Sequence, residues 1–414
     1  MKILIVNISD TQGGAARAAY RLHNSLLAEN VNSEMLVAHK SSDNFTVKSI
    51  NNSKKQKGLN LLRPTLDNFS VTFYKHKTQT LFSPAVVGFA GVIDAINEIS
   101  PSIVHLHWIC AAMLKLEDLS KINAPIVWSL HDMWAFTGGC HYDEKCQAYK
   151  QDCGNCKVLS SNKEHDLSRK VYHRKEKVFA QIDNLSIVGL SSWLSNCAKN
   201  SSLLKDKHHI QLPNPIDTKL FKIFDKQKAR ELWNLPKDKH LVLFGAMGAT
   251  SDPRKGFKEL TEAFHTLKDS HIELVVFGSS TPEISQDFGF KTHYMGKLSD
   301  DISLITLYNA VDTVAIPSLQ ENLSNVIMES LACGTPVVGF DIGGNSDMIM
   351  HEKTGYLAKE LDTNDLAFGI EWVLNNENYD ELCQNAREKV LKEFDSVVVA
   401  RKYIELYKEV LNEQ

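Results

Sequence analysis

The chain has 414 residues, 43% of them hydrophobic and 23% charged, and a net charge of −4. That length exceeds a comfortable single core and predicts two domains of about 200 residues. The ordinary composition excludes a disordered chain, and the lack of an apolar run of about 18 residues excludes a spanning helix. Met1–Asn7 is too short and turns polar too soon for a signal peptide, so a cytoplasmic protein is expected. Residues 1–212 hold 25 Lys+Arg against 18 Asp+Glu, and residues 213–414 hold 21 against 32. The basic first half is therefore expected to face something anionic, such as a bilayer surface or a phosphorylated acceptor.

In chain order, Lys2–Ile8 reads as an apolar strand and Ser9–Gly14 as a loop. A helix follows over Ala15–Asn30, with Ala19, Leu22, Leu26 and Leu27 on one face. The pair Gly13-Gly14 lacks the Gly-x-Gly-x-x-Gly fingerprint, which gives a nicotinamide or flavin site no support. Residues 53–80 carry Lys54, Lys55, Lys57, Arg63, Lys75 and Lys77 against Asp67 alone, interleaved with Leu59, Leu61, Leu62, Phe69, Phe73 and Tyr74. This pattern fits a solvated loop or a patch for an anionic membrane surface, where each basic residue is worth about 1 kcal/mol. Nucleic acid is not expected, because no nucleic-acid-binding motif accompanies the patch.

Ile103–His107 and Ile126–Leu130 are buried-type strands, and the second delivers His131-Asp132 to its carboxyl end, the ligand-binding edge of a parallel sheet. His105 and His107 are alternatives to His131 as a functional histidine; His131 is preferred because it ends its strand. Cys140, Cys146, Cys153 and Cys156 then fall within seventeen residues and close on Cys-Gly-Asn-Cys. In a reducing compartment this argues for a structural zinc site that staples the loop, with His141 or His165 able to replace a cysteine. The first pair is spaced more widely than the usual knuckle. The remaining cysteines lie among apolar neighbours and read as core.

Pro213-Asn214-Pro215 is an extended connector and marks the boundary between domains 1–212 and 213–395. Beyond strand Leu241–Phe244, the loop from Gly245 to Gly256 ends in Arg254-Lys255 and feeds a helix over Phe257–Leu267. Two cations at a helix mouth suit a diphosphate, and equally suit an exposed turn. Ile272–Gly278 and Thr292–Gly296 are further strands. Strand Thr313–Ile316, the loop Pro317–Glu321, a helix over Asn322–Ala332 and strand Val337–Phe340 compose a βαβ unit. Glu321 and Glu329 flank its helix start. As a pair on one helix they would stand roughly 12 Å apart, too far for one acid and one nucleophile of a retaining glycosidase. Asp380–Glu413 has helical spacing.

Pro317-Ser318, Glu321, Glu329, Ala332-Cys333-Gly334-Thr335-Pro336 and Gly343-Gly344 together resemble glycosyltransferase family 4. The stretch from His131 to Cys156 resembles a bacterial polysaccharide subgroup of it. The resemblance implies an α/β fold of GT-B architecture, with two Rossmann-like domains facing across a cleft and a carboxyl-terminal helix, about 396–414, packed back on the first domain. It implies a retaining, metal-independent transferase that moves a sugar from a nucleotide-diphosphate sugar to a saccharide or polyprenyl-linked acceptor. Glu321 would contact the transferring sugar, Glu329 the ribose hydroxyls, and the backbone of Leu323, Ser324 and Asn325 the diphosphate. Arg254 and Lys255 would offset leaving-group charge, Gly296 and Leu298 would hold the base, Gly14 would approach donor phosphate, and His131 the donor sugar. Asn322-Leu323-Ser324 departs from the family's Gly-Phe-Gly, and Ala246 stands where the family has arginine. No catalytic cofactor is implied, and no Asp-x-Asp occurs in the sequence. A nucleotide-sugar 2-epimerase of the same architecture and a zinc-containing nucleic-acid module are the alternatives.

Overall fold

The computed structural model describes residues 1–50, 54–245, 252–267, 269, 271–278, 290–298 and 300–412, with backbone alone for 54–57 and 59. The Ala246 position and the side chains of Lys54, Lys55, Lys57 and Leu59 lie outside the described residues. The chain divides into two compact units, Met1–Asn214 with Val399–Gln414, and Pro215–Val398.

Among the described residues unit 1 has seven parallel strands: β1 Lys2–Ser9, β2 Asn32–His39, β3 Val47–Ser49, β4 Ile103–Leu106, β5 Ile126–Leu130, β6 Leu185–Gly189 and β7 His208–Gln211. They pair in the order β3-β2-β1-β4-β5-β6-β7. Ile3, Leu4, Ile5 and Val6 are all fully buried, because a parallel sheet is covered on both faces and its strands read as unbroken apolar runs. Each such side chain contributes about 1.5–3 kcal/mol. The helices are α1 Gly14–Ala28, α2 Lys54–Asp67, α3 Val92–Ile99, α4 Leu167–Phe179 and α5 Ser192–Lys199. Helix α2 runs through Gly58 and Pro64, so the segment expected as a loop or patch is helical and continues as a tight turn over Asn68–Phe73.

Among the described residues unit 2 has six parallel strands: β8 His240–Gly245, β9 Ile272–Phe277, β10 Thr292–Tyr294, β11 Thr313–Ile316, β12 Val337–Phe340 and β13 Gly355–Ala358. Their order is β10-β9-β8-β11-β12-β13. Its helices are α6 Lys226–Leu232, α7 Phe257–Thr266, α8 Asp301–Ala310, α9 Asn325–Ala332, α10 Asn345–Met348, α11 Thr363–Leu374 and α12 Tyr379–Glu393. Helix α13, Ser396–Asn412, buries Tyr403 and Tyr407 and bonds to unit 1 strand residues. Both sheets reverse their winding direction once, between β1 and β4 and between β8 and β11. The carboxyl ends at those switch points form the crevice where doubly wound sheets take ligands.

Candidate active site

In unit 2 the switch point is closed by backbone. The turn Asp252–Gly256 follows β8, and the loop Pro317–Glu321 follows its sheet neighbour β11. Leu319 N donates to Arg254 O at 2.7 Å. Gly256, at φ +73°, lies so close that an added Cβ would stand 1.7 Å from the Pro317 carbonyl oxygen. Only glycine permits that approach. A second contact of this kind follows β12, where a Cβ on Gly343 would meet Glu321 O at 1.8 Å, and Gly344 N donates to the same oxygen at 3.3 Å. The two loops therefore present Lys255 and Glu321 to each other, and Lys255 Nζ donates to Glu321 Oε2 at 2.8 Å.

Arg254 is turned onto its own loop. Its Nε and Nη2 donate to Asp252 at 3.1 and 2.7 Å. Partial burial pushes the Asp252 carboxyl up, and the Arg254 guanidinium outweighs this and holds it below the usual range. Helix α9 starts at Asn325, three residues later than its spacing predicts, because Asn322, Leu323 and Ser324 form an irregular buried loop with Ser324 as a cap lacking a side-chain bond. The backbone amides of the first turn thereby lead off from Glu321. Glu329, in the second turn, is 2% exposed and accepts from Tyr308 Oη at 2.9 Å. Gly296, at φ +71°, and half-buried Leu298 follow β10, and Gly296 O accepts from Gly278 N at 2.7 Å.

In unit 1 the edge is built from neutral rings. Asn7 Oδ1 accepts from Trp108 N at 2.8 Å and ties the ends of β1 and β4 together. Gly14 is exposed at the first turn of α1. His105, His107 and His131 stack in sequence, with ring centroids 4.5 and 5.1 Å apart. His105 bonds Tyr407 Oη at 2.7 Å and Ser129 Oγ at 2.8 Å, while His107 Nδ1 and His131 Nε2 share one hydrogen at 2.9 Å. Burial pushes the imidazole pKa of His131 down to about 4, partly offset by Asp132. Burial likewise takes His105 to about 3 and His107 well below its ordinary value. Asp132 is raised by burial but held low overall by His141, Trp134 N and Trp108; His141 Nδ1 lies 2.6 Å from its Oδ2. The three histidines weighed as alternatives in the sequence thus stand in one column, with His131 at the strand end.

The family description "Glycosyl transferases group 1" matches residues 238–376, which cover most of unit 2. That stretch of unit 2 is similar to the group 1 glycosyl transferases. Over more of the chain, similarity extends to the putative colanic acid biosynthesis glycosyl transferase WcaC of Escherichia coli K12, at 23% identity over 82% of each chain. A second relative is the N,N'-diacetylbacillosaminyl-diphospho-undecaprenol alpha-1,3-N-acetylgalactosaminyltransferase of Campylobacter jejuni. It is 29% identical over 47% of this chain, a match that spans about half (52%) of that protein's length. Among solved structures, Anabaena HepE in complex with UDP superposes with a TM-score of 0.65 at 16% identity, covering 99% of this chain and all of the other. The chain has the GT-B fold that these structures share.

Within unit 2 the turn with Lys255 and the loop with Glu321 are joined directly, and Glu329 is bonded to Tyr308. Tyr308 and Asp252 escaped the sequence reading. Tyr308 lies in a helix whose apolar pattern gives a tyrosine no special place, and Asp252 is marked only by its pairing with Arg254, two residues on. The cysteines give a different outcome. Cys140, Cys153 and Cys156 are buried and Cys146 half-buried, all as free thiols, and Gly138 N donates to Cys153 Sγ at 3.1 Å. Among the described residues no group of three or more His, Cys, Asp or Glu is arranged to hold a metal ion. His141 cannot replace a cysteine ligand as it stands, since its Nε2 bonds Ser83 Oγ at 2.9 Å and its Nδ1 faces Asp132, and His165 is exposed.

Proposed function

We propose that the chain is a retaining, metal-independent glycosyltransferase that moves a sugar from a nucleoside-diphosphate sugar to a saccharide or polyprenyl-linked acceptor of bacterial surface polysaccharide. The observation that carries this reading is the Lys255–Glu321 pair, set by two glycine contacts at the switch point of a group 1 glycosyl transferase domain. The UDP bound by HepE and the undecaprenol-linked substrate in the name of the Campylobacter relative support the donor and acceptor classes. The family match favours transfer over the epimerase and nucleic-acid readings.

In this reading unit 2 binds the donor. Lys255 and the first-turn amides of α9 stabilise the diphosphate as negative charge develops on it, Arg254 adds a second cation, and Glu329 accepts from the ribose hydroxyls. Glu321 orients the transferring sugar. Glu329 serves the ribose in this reading and Asp252 is paired with Arg254, so among the described residues no second carboxylate of this site serves as nucleophile. The acceptor hydroxyl attacks the anomeric carbon from the side of the departing phosphate, whose oxygen takes the hydroxyl proton as the sugar–phosphate bond breaks. Unit 1, with Gly14 and neutral His131 on its sheet edge, serves the substrates from that edge. Release of UDP, GDP or ADP from the corresponding nucleotide sugars, measured with and without lipid-linked acceptor, tests the proposal. Hydrolysis or epimerisation with no acceptor dependence would count against it.

The same unit offers a surface for anionic lipid. Leu61, Leu62, Leu66, Phe69 and Phe73 are between 58% and 74% exposed, and Lys75 and Lys77 are exposed beside them. Asp67, the opposing carboxylate of the sequence pattern, is buried and accepts from Val86 N and Val87 N at 2.6 and 2.9 Å, so it does not face the patch. Tyr74 does not belong to the surface either, since its hydroxyl accepts from Leu167 N at 2.9 Å. No described helix is long and apolar enough to cross a membrane. Flotation with anionic vesicles, weakened by salt and by Lys54, Lys55 and Lys57 changed to glutamate, is the expected result. Failure to float at low salt removes the lipid surface from the proposal. For the cysteine loop, spacing argues for a structural zinc ion and side-chain arrangement does not supply its site. Metal analysis of reduced protein separates about one zinc per chain from four freely titrating thiols.

A further inference from the structure

We propose that Tyr308 is the positioning residue for Glu329, and that it thereby sets how strongly the nucleotide ribose is recognised. The inference rests on the donor reading above and goes beyond it to a residue no motif marks. Tyr308 lies on α8 and is among the largest side chains with no exposure at all. Its ring packs edge-on against Phe277 at the end of β9, 6.4 Å between centroids. Its hydroxyl donates to Glu329 Oε2 at 2.9 Å.

The backbone of Tyr308 is held in turn. Thr335 Oγ1 donates to Tyr308 O at 2.8 Å, Ser330 Oγ donates to Thr335 O at 2.9 Å, and Thr335 N donates to Ser330 O at 3.0 Å. Helix α8, the Gly334-Thr335-Pro336 turn and helix α9 thus close a ring of bonds around one buried carboxylate. The chemistry of the donor matters here. A lysine or arginine in this place would neutralise Glu329 and compete for its lone pairs. A phenol engages one oxygen, leaves the charge in place, and keeps the carboxylate an acceptor for two ribose hydroxyls. Without the phenol the carboxylate loses the bond that fixes its Oε2, and alignment with a pair of vicinal hydroxyls is weakened.

Binding of UDP, GDP and ADP, each beside its 2′,3′-dideoxy counterpart, is measured by calorimetry on the full chain for wild type, Tyr308→Phe and Thr335→Val. Wild type is expected to prefer the ribose form of its nucleotide by about tenfold or more, a hydrogen-bonding site's response to a missing hydroxyl. Tyr308→Phe, which keeps the ring and its packing, should reduce the preference to below about threefold and raise the KM for donor with kcat nearly unchanged. Thr335→Val, which removes only the bond to the Tyr308 carbonyl, should lie between them, and it carries the test if Tyr308→Phe does not fold. Full preference retained in the folded variants overturns the proposal and leaves the transferase reading intact. No preference in wild type shows that Glu329 does not meet ribose, and the proposal falls with that assignment while turnover through Lys255 and Glu321 is judged separately.

Discussion

At the carboxyl edge of its sheet unit 1 places buried, neutral imidazoles bonded to Tyr407 and to one another, whereas unit 2 places ions, Lys255 on Glu321 and Arg254 on Asp252, in loops locked by glycine contacts. The two sheets have the same winding and the same switch point, so the fold does not dictate this difference. It lies in what each edge must hold. An edge that stabilises developing negative charge needs fixed cations, and cations need carboxylates to hold them in place before the ligand arrives. An edge that meets uncharged hydroxyls can use rings whose burial keeps them unprotonated.

The largest expected effect is acid lability confined to unit 1. A histidine whose folded-state pKa is depressed takes up its proton in the unfolded chain first. Stability is therefore full above the unfolded value of 6.5 and is lost as pH falls toward the folded values of about 4 for His131 and His23 and about 3 for His105. Each such group gives a slope of about 1.4 kcal/mol per pH unit within its window. Melting scans from pH 7.5 to 4.5, with hydrogen exchange to assign the unit, should show unit 1 opening first. Unit 2 opening first would break the comparison.

Next, Gly256→Ala should cost about 2–4 kcal/mol in unit 2 and abolish nucleotide binding, because its Cβ has no place beside the Pro317 carbonyl. A variant with wild-type melting temperature and affinity would show that the loops are not locked. Lys255→Ala and Glu321→Gln should each lower turnover about ten- to a hundredfold with the fold intact, and His131→Asn less than either if charge stabilisation dominates. Equal turnover in all three would erase the distinction between the edges. The smallest effect is expected for Tyr407→Phe, which removes the 2.7 Å bond to His105 and should destabilise unit 1 by about 1 kcal/mol. Nucleotide affinity should not change.

How far the sequence reached is visible in individual elements. Ile126–Leu130, Thr313–Ile316 and Val337–Phe340 begin and end where the apolar runs do, because strands covered on both faces write their burial into every consecutive residue. Helix α2 was illegible, since Gly58 and Pro64 break the local pattern. The helix whose start lies between Glu321 and Glu329 was legible as a helix, but its first turn was not, because the burial of Asn322, Leu323 and Ser324 is a tertiary fact.

By itself the sequence determined the α/β class, the positions of several strand ends and the residue types waiting at them, while strands β2, β3 and β13 went unread. Lysine, glutamate and histidine stand next to turn signals in a way that periodicity and turn chemistry disclose. The partners were decided by the tertiary structure alone. Lys255 and Glu321 are 66 residues apart and meet because β8 lies beside β11. His107 and His131 meet because β4 lies beside β5, and Tyr308 reaches Glu329 because α8 packs on α9. Strand order and helix packing are global choices among many arrangements of the same local elements, so a hydrogen bond that spans them leaves no mark in either local sequence.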